Sequence, residues 1–292
     1  MRQSPEPTAN LLKPFRLPET VLLPRALASI VKFVSGQPAA VVADYLVVAD
    51  LHLGFEFELQ RRGVRIAPSP AALAAELRGL MRKARCKRLV VMGDFKHDVR
   101  GFEARERRVV QEFVAAFAAP VLVVKGNHDS RLEGVEGLQV APVGGVVLRE
   151  GKVSFGLHHG HAWPSPELFQ AGTLLAGNNH PAVEFSDSLG FKWLRKAWVL
   201  GKVRVNRGNR RVAAERGCRD GQPVVVFPAF SQLYSGTAFN RVDSLELLGP
   251  LFQNSLFDLD GAVAVGLDGV RLGVIRNLRS IPPRTRARSG RF

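Results

Sequence analysis

Cysteine is nearly missing from this 292-residue chain, which carries only Cys86 and Cys218. Two thiols cannot build a disulfide framework or a thiolate zinc site, and they suit a reducing compartment, so a cytoplasmic location is expected. Long apolar runs are missing as well. The longest stretch without a charged residue, Gly221 to Asn240, is broken by Gln222, Pro223, Pro228, Ser231, Gln232 and Asn240. No segment therefore reads as a membrane-crossing helix, and no membrane partner is expected. The N-terminal segment does not read as a secretory signal, because Glu6 comes early and Pro24 and Arg25 interrupt the apolar stretch from Val21 to Ile30. Acidic residues are scarce, 26 against 41 lysines and arginines, leaving a net charge of +15. Within residues 191–219 Glu215 is the single acid, and after Asp268 there is none, while Arg271, Arg276, Arg279 and further arginines follow. Such a field concentrates anionic partners, polyphosphate chains foremost among them.

What remains is ordinary globular composition, 46% hydrophobic and 23% charged, which excludes a disordered or fibrous chain. Strand-length apolar runs recur at Ala39–Ala43, Tyr45–Ala49, Leu89–Met92, Val121–Val124, Val153–Leu157, Leu174–Ala176 and Val224–Phe227. Helical periodicity fills the early gaps over Pro70–Ala84 and Phe102–Phe117, and this alternation predicts βαβ units in an α/β sheet. Gly137–Leu157 reads as a hairpin turning at Glu150-Gly151, and Gly261–Ile275 as another around Asp268-Gly269. A single domain is expected over residues 18–280, containing the basic segment 191–219. A tail of residues 1–17 precedes it and a basic tail of residues 281–292 follows.

Five apolar strands each run into polar residues able to hold metal: Asp50-Leu51-His52, Gly93-Asp94, Gly126-Asn127-His128-Asp129, His158-His159-Gly160-His161 and Gly177-Asn178-Asn179-His180. In an α/β sheet the crevice lies beyond the carboxyl ends of the strands, where these clusters can converge. Residues two apart on an extended chain face the same side, so Asp50 and His52 can grip one ion together. Carboxylates and imidazoles suit manganese, iron, zinc, nickel or cobalt, with manganese preferred here.

The order Asp50-x-His52, Gly93-Asp94, Gly126-Asn127-His128-Asp129, His159-Gly160-His161 and Gly177-x-x-His180 resembles the calcineurin-like metallophosphoesterases. More narrowly, Asp50-Leu51-His52-Leu53-Gly54, Gly93-Asp94-Phe95-Lys96-His97 and Phe227-Pro228-Ala229-Phe230 are similar to the phosphoesterases related to the double-strand-break repair nuclease, a group with archaeal members and the bacterial ligase-associated endonucleases. The resemblance implies a four-layer α/β sandwich, two mixed β-sheets flanked by helices, with two divalent ions at the sheet edge. Asp50, His52 and His180 would hold the first ion, Asp94 would bridge, and Asn127 and His159 would hold the second. A bridging hydroxide would attack phosphorus in line. His128 would donate a proton to the leaving group, with Asp129 orienting it. His97 and Lys96 would contact phosphate. His161 follows a ligand position without being one, and His158 is expected to be structural.

One position departs from the pattern. Where the family carries Gly-His-x-His, Asn178 replaces the first histidine, and an amide oxygen is the weaker ligand, so the second ion should bind less tightly. The expected activity is a metal-dependent phosphodiesterase or nuclease acting on nucleic acid or nucleotides. The alternatives are a small-molecule phosphatase or cyclic-nucleotide phosphodiesterase and, because of Asn178, a non-catalytic binding scaffold.

Overall fold

The computed structural model describes residues 31–99, 101–187 and 189–279. The tails expected at 1–17 and 281–292 lie outside these residues.

Six strands form the first sheet in the order β1-β2-β3-β4-β5-β6: β1 Lys32–Phe33, β2 Ala39–Val42, β3 Tyr45–Val48, β4 Arg88–Met92, β5 Val121–Val124 and β6 Leu138–Ala141. β1, β2 and β3 run antiparallel, whereas β3, β4, β5 and β6 are parallel. Helices α1 (Phe55–Arg61), α2 (Pro70–Ala84) and α3 (Ala104–Phe117) connect the parallel strands. α2 starts with Pro70 in its first turn, where a missing N–H costs nothing, and stops at Arg85, whose φ of 57° leaves the helical region. It buries Ala74, Leu77, Leu80 and Met81, a spacing that keeps one stripe against the sheet. Leu77 is fully buried, so Leu77→Ala would cost about 2–5 kcal/mol.

The second sheet is built from β7 (Val146–Glu150), β8 (Val153–His158), β9 (Thr173–Ala176), β10 (Pro181–Ser186), β11 (Lys192–Lys202), β12 (Pro223–Val226), β13 (Thr237–Ala238), β14 (Val263–Gly266) and β15 (Arg271–Val274). Its order is β13-β10-β11-β12-β9-β8-β7, with β14 pairing β11 and β15. Short helices follow: α4 (Arg210–Arg216), α5 (Pro250–Gln253) and α6 (Ile275–Arg279).

The period-two pattern of the strands sorts their side chains into three apolar layers. Leu46, Val48, Leu89 and Val91 face α2 and α3. Their neighbours Val47, Val90 and Met92 face the second sheet, meeting Phe155, Leu175, Trp198 and Val225 between the sheets. On the far side Leu174, Val199, Val224 and Val226 pack under Ala213 of α4, Leu251 and Phe252 of α5 and Ile275 of α6. The result is the expected four-layer sandwich of two mixed sheets flanked by helices. The hairpin expected at Gly261–Ile275 is present as β14–β15. The one expected over Gly137–Leu157 is shorter: β7 and β8 form it, while Leu138–Ala141 joins the first sheet parallel to β5.

Candidate metal centre

The candidate ligands follow the carboxyl ends of β3, β4 and β5 in one sheet and β8 and β9 in the other. Backbone bonds stitch these ends together. Asp50 N–H donates to the Gly93 carbonyl at 3.1 Å and His52 N–H to that of Asp94 at 2.8 Å. From the second sheet, Phe230 and Ser231 N–H donate to the carbonyls of Ala49 and Asp50. Of the ten described non-glycine residues with positive φ, five are Asp50, His52, Asp94, Asn178 and His180. Left-handed backbone costs about 1 kcal/mol or more per residue, and its clustering here marks a place where aim outweighs local comfort. Glycine is needed beside these residues for space: a Cβ at Gly93 would sit 2.2 Å from His159 Nδ1, and one at Gly126 2.3 Å from Asp94 Oδ1.

Most of the expected residues converge. His180 Nε2 lies 3.2 Å from Asp50 Oδ1 and 3.5 Å from His52 Nε2. Asp94 faces two ways: Oδ2 is 3.7 Å from Nε2 of both His52 and His128, while Oδ1 is 3.4 Å from His159 Nε2. Asn127 Oδ1 is 3.1 Å from the same His159 nitrogen. Three overlapping groups, Asp50/His52/His180, Asp50/Asp94/His159 and His52/His97/His128, each have donor atoms within 4.8 Å of one another.

This donor set fits divalent cations. Two imidazole nitrogens facing each other beside carboxylates have little to offer one another, but each can give a lone pair to a shared ion. His159 Nδ1–H donates to the Met92 carbonyl at 3.0 Å, which fixes the ring so that Nε2 faces the site. Burial holds the His52 pKa well below its ordinary value, keeping the ring neutral as ligation requires. Burial opposes charge on His159 too, but Asp94 and Asp50 beside it outweigh that and raise its pKa to about 9, so in the metal-free site the ring holds a proton that a bound cation would displace. Burial likewise works against the Asp94 carboxylate, and His159 and His52 more than compensate, lowering its pKa.

Two of the expected residues make other contacts in the structure. Lys96 is fully buried and turned away: its Nζ meets the carbonyls of Asp98 and Gly101 and lies 3.4 Å from Glu106 Oε2, so it cannot reach a phosphate. Asp129 does not orient the His128 ring. Its Oδ1 accepts from the N–H groups of Phe95 at 2.8 Å and Lys96 at 3.3 Å, and its Oδ2 from Gly126 at 2.8 Å, so it braces the two ligand-bearing loops. The His128 ring is set instead by Nδ1 against the His97 carbonyl.

The other expected residues stand at the margin. Asn178 touches Asp50 through its backbone N–H, 3.2 Å from both carboxylate oxygens, and its buried Nδ2 has no partner among the described residues. His97 Nε2 is 2.6 Å from Glu58 Oε2, and its ring centre is 5.5 Å from those of His52 and His128. His158 is buried with neither ring nitrogen bonded, and burial pushes its pKa down to about 3, consistent with a structural residue. His161 packs its ring 5.1 Å from that of His159.

Sequence reasoning missed the aromatic wall. Tyr234 lies over His52 at 4.4 Å between ring centres and stacks on Phe55 at 4.5 Å and 21°. Both are isolated aromatics in loop or first-turn positions, with no periodicity to flag them. Glu58 was equally silent, one of two acids on α1.

Residues 44–240 match the sequence model of the calcineurin-like phosphoesterases, about two thirds of the chain, and the chain belongs to that family. It is accordingly a metal-dependent phosphoric ester hydrolase. Among solved structures it is similar to the Pseudomonas putida nuclease MPE, at 19% identity and a TM-score of 0.44, covering 71% of this chain and 84% of that one. It is also similar to Yfce, a phosphoesterase from E. coli, at 14% identity and a TM-score of 0.35, covering 78% and 96%. A third is zinc-complexed Vps29 from Entamoeba histolytica, at 16% identity and a TM-score of 0.30, covering 66% and 79%. No curated protein matches the chain. Among the described residues, no helix is long and apolar enough to cross a membrane.

Proposed function

We propose that the protein is a phosphodiesterase that cleaves nucleic acid or nucleotides at a two-ion site. In this reading Asp50, His52 and His180 hold one ion, Asn127 and His159 hold the other with Asn178 as a weak extra ligand, and Asp94 spans both. The observation that carries it is the two-sided placement of Asp94, with one oxygen 3.7 Å from His52 Nε2 and the other 3.4 Å from His159 Nε2. A carboxylate so placed can serve two positions at once. Divalent ions bound there supply a nucleophile from water near neutral pH and offset charge on the phosphate oxygens.

The chain's own groups do the rest. Asp129 holds the loops after β4 and β5 at a fixed distance through three backbone bonds, so the ligands need not reorganise when substrate enters. His128 has Nδ1 engaged by the His97 carbonyl, which leaves Nε2 on the site side to hold a proton toward a departing oxygen. The net charge of +15 favours a polyanionic substrate over a neutral ester. Manganese is the first metal to test, and the cytoplasm the expected compartment. The test compares a bis-aryl phosphate, an aryl monophosphate and oligonucleotides with manganese supplied. Cleavage of the diester and of oligonucleotides is expected, and cleavage of the monophosphate alone would overturn the reading in favour of a small-molecule phosphatase.

A further inference from the structure

His52 and His159 are held in different ways. The His159 ring is fixed by a hydrogen bond, from its Nδ1–H to the Met92 carbonyl at 3.0 Å. His52 is buried as well, yet its Nδ1 has no partner among the described residues. A ring that gives one nitrogen to a metal is normally aimed by what the other nitrogen meets. At His52 that hold must come from packing.

The rings around His52 do not meet it alike. His97, His128 and His180 stand edge-on, at 5.5, 5.0 and 5.3 Å between ring centres and 69°, 84° and 82° between planes. Among the described rings Tyr234 alone lies across its face, at 4.4 Å and 31°. The same phenol ring meets His180 at 4.9 Å and 69°, and Phe55 stacks on it at 4.5 Å and 21°. Tyr234 is itself fixed, midway along a loop between β12 and β13 that is tied to the backbone of the ligands at both ends. At one end the N–H groups of Phe230 and Ser231 donate to the Ala49 and Asp50 carbonyls, and at the other Thr237 N–H donates to the His180 carbonyl at 2.8 Å. Lys196 Nζ steadies the first end by donating to the carbonyls of Ala229 and Ser231. At the second end Gly236 has a φ of 93°, and a Cβ there would lie 2.5 Å from the His180 carbonyl oxygen, so glycine lets the loop come this close.

We propose that Tyr234 is a positioning residue for the first ion, its ring doing for His52 what the Met92 carbonyl does for His159. The proposal rests on the reading of Asp50, His52 and His180 as ligands of one ion. An imidazole that shares a lone pair with a cation gains positive character, and the face of a phenol ring carries negative potential, so the contact strengthens as the ion binds. The hydroxyl meets His97 Nδ1 at 3.4 Å rather than His52. The hold on His52 therefore belongs to the ring and should survive loss of the hydroxyl.

The test is calorimetric titration of the full chain with manganese, one position at a time. His159→Ala leaves the first position to be read, and His52→Ala the second. Adding Tyr234→Ala should weaken manganese binding about 10- to 100-fold in His159→Ala, the range for losing a group that orients a ligand, and leave it unchanged in His52→Ala. Adding Tyr234→Phe should leave both affinities unchanged. Should Tyr234→Ala fail to fold, Tyr234→Leu carries the same expectation, because a branched side chain fills the space without offering a flat face. Equal loss at both positions would mean a general loosening of the fold and would overturn the proposal. So would an undiminished affinity at the first position, or a loss with Tyr234→Phe as large as with Tyr234→Ala. If His52→Ala alone binds as many ions as the unsubstituted chain, the ligand reading fails instead, whatever Tyr234 does, so the two failures are told apart.

Discussion

Lys96 Nζ lies 3.4 Å from Glu106 Oε2 with both side chains buried, a charge pair sealed under the loop that carries His97. Burial raises the Glu106 pKa, opposed by N–H groups of Asp98 and His97 and by Lys96 itself. Removing one member of such a pair strands the other without water or counter-charge. Lys96→Met should therefore cost about 3–5 kcal/mol of stability, measured by urea denaturation. A lysine that merely met phosphate would show unchanged stability and a raised KM, and that outcome would restore the role expected from the sequence.

The contact of His128 Nδ1 with the His97 carbonyl separates the work of His128 from that of Asp129. His128→Ala should lower kcat by about 10²–10⁴-fold with manganese content unchanged, as removal of a proton donor does. Asp129→Asn keeps only one acceptor oxygen for the N–H groups of Phe95, Lys96 and Gly126, and its amide would face a donor. It should lower stability and manganese affinity together while leaving the shape of the pH–rate profile intact. A shift of the basic limb of that profile in Asp129→Asn would show that Asp129 tunes the proton donor after all.

The convergence of the candidate ligands was legible because each lies at the end of an apolar run, where alternation fixes the strand and the next residues must leave it. Asp50, Asp94, Asn127, His159 and His180 all stand at such ends, and the parallel arrangement brings the ends to one edge. Direction was not legible. Lys96 and His97 are adjacent, yet one points into the core and the other toward Glu58, a choice made by Glu106 on α3 and Glu58 on α1. Nor could local pattern assign Leu138–Ala141 to the first sheet, since a strand's partner is decided by which face of the sandwich still has an open edge. The aromatic wall of Phe55 and Tyr234 joins positions with no shared periodicity.

Acid should unfold the protein partly through His158. Its folded pKa is depressed to about 3 because the ring is buried and has no partner for a second proton, with the positive charge of His159 a smaller cause. The unfolded chain takes up a proton near 6.5, so between those values it binds more protons and stability falls as pH falls. The contribution is fully present above about pH 6.5 and is lost progressively toward pH 3. Between pH 7 and 5 it amounts to about 2 kcal/mol. Urea denaturation of metal-free His158→Leu should show a pH slope shallower than that of the parent by about 1 kcal/mol per unit on average in this window. Parallel slopes would mean that the ring is already charged in the fold.

Asn178 stands where the family pattern has histidine, and its backbone suits one. The backbone already holds φ at 69°, in the region that His52 and His180 also adopt, so the new side chain adds little conformational cost. Its N–H bond to Asp50 belongs to the main chain and would survive the change. Nδ2 has no partner among the described residues, so its removal forfeits no hydrogen bond. An imidazole nitrogen binds manganese or zinc better than an amide oxygen does. Asn178→His should therefore tighten the weaker ion by about tenfold, roughly 1.4 kcal/mol, in calorimetric titration with manganese. Turnover should rise at limiting manganese and converge with that of the parent at saturation, because the substitution changes occupancy and not the groups that handle the proton. Unchanged affinity for both ions would mean that residue 178 does not coordinate the second ion. A fully loaded variant that cleaves neither diester nor oligonucleotide would sink the phosphodiesterase reading, because weak loading could no longer account for missing turnover.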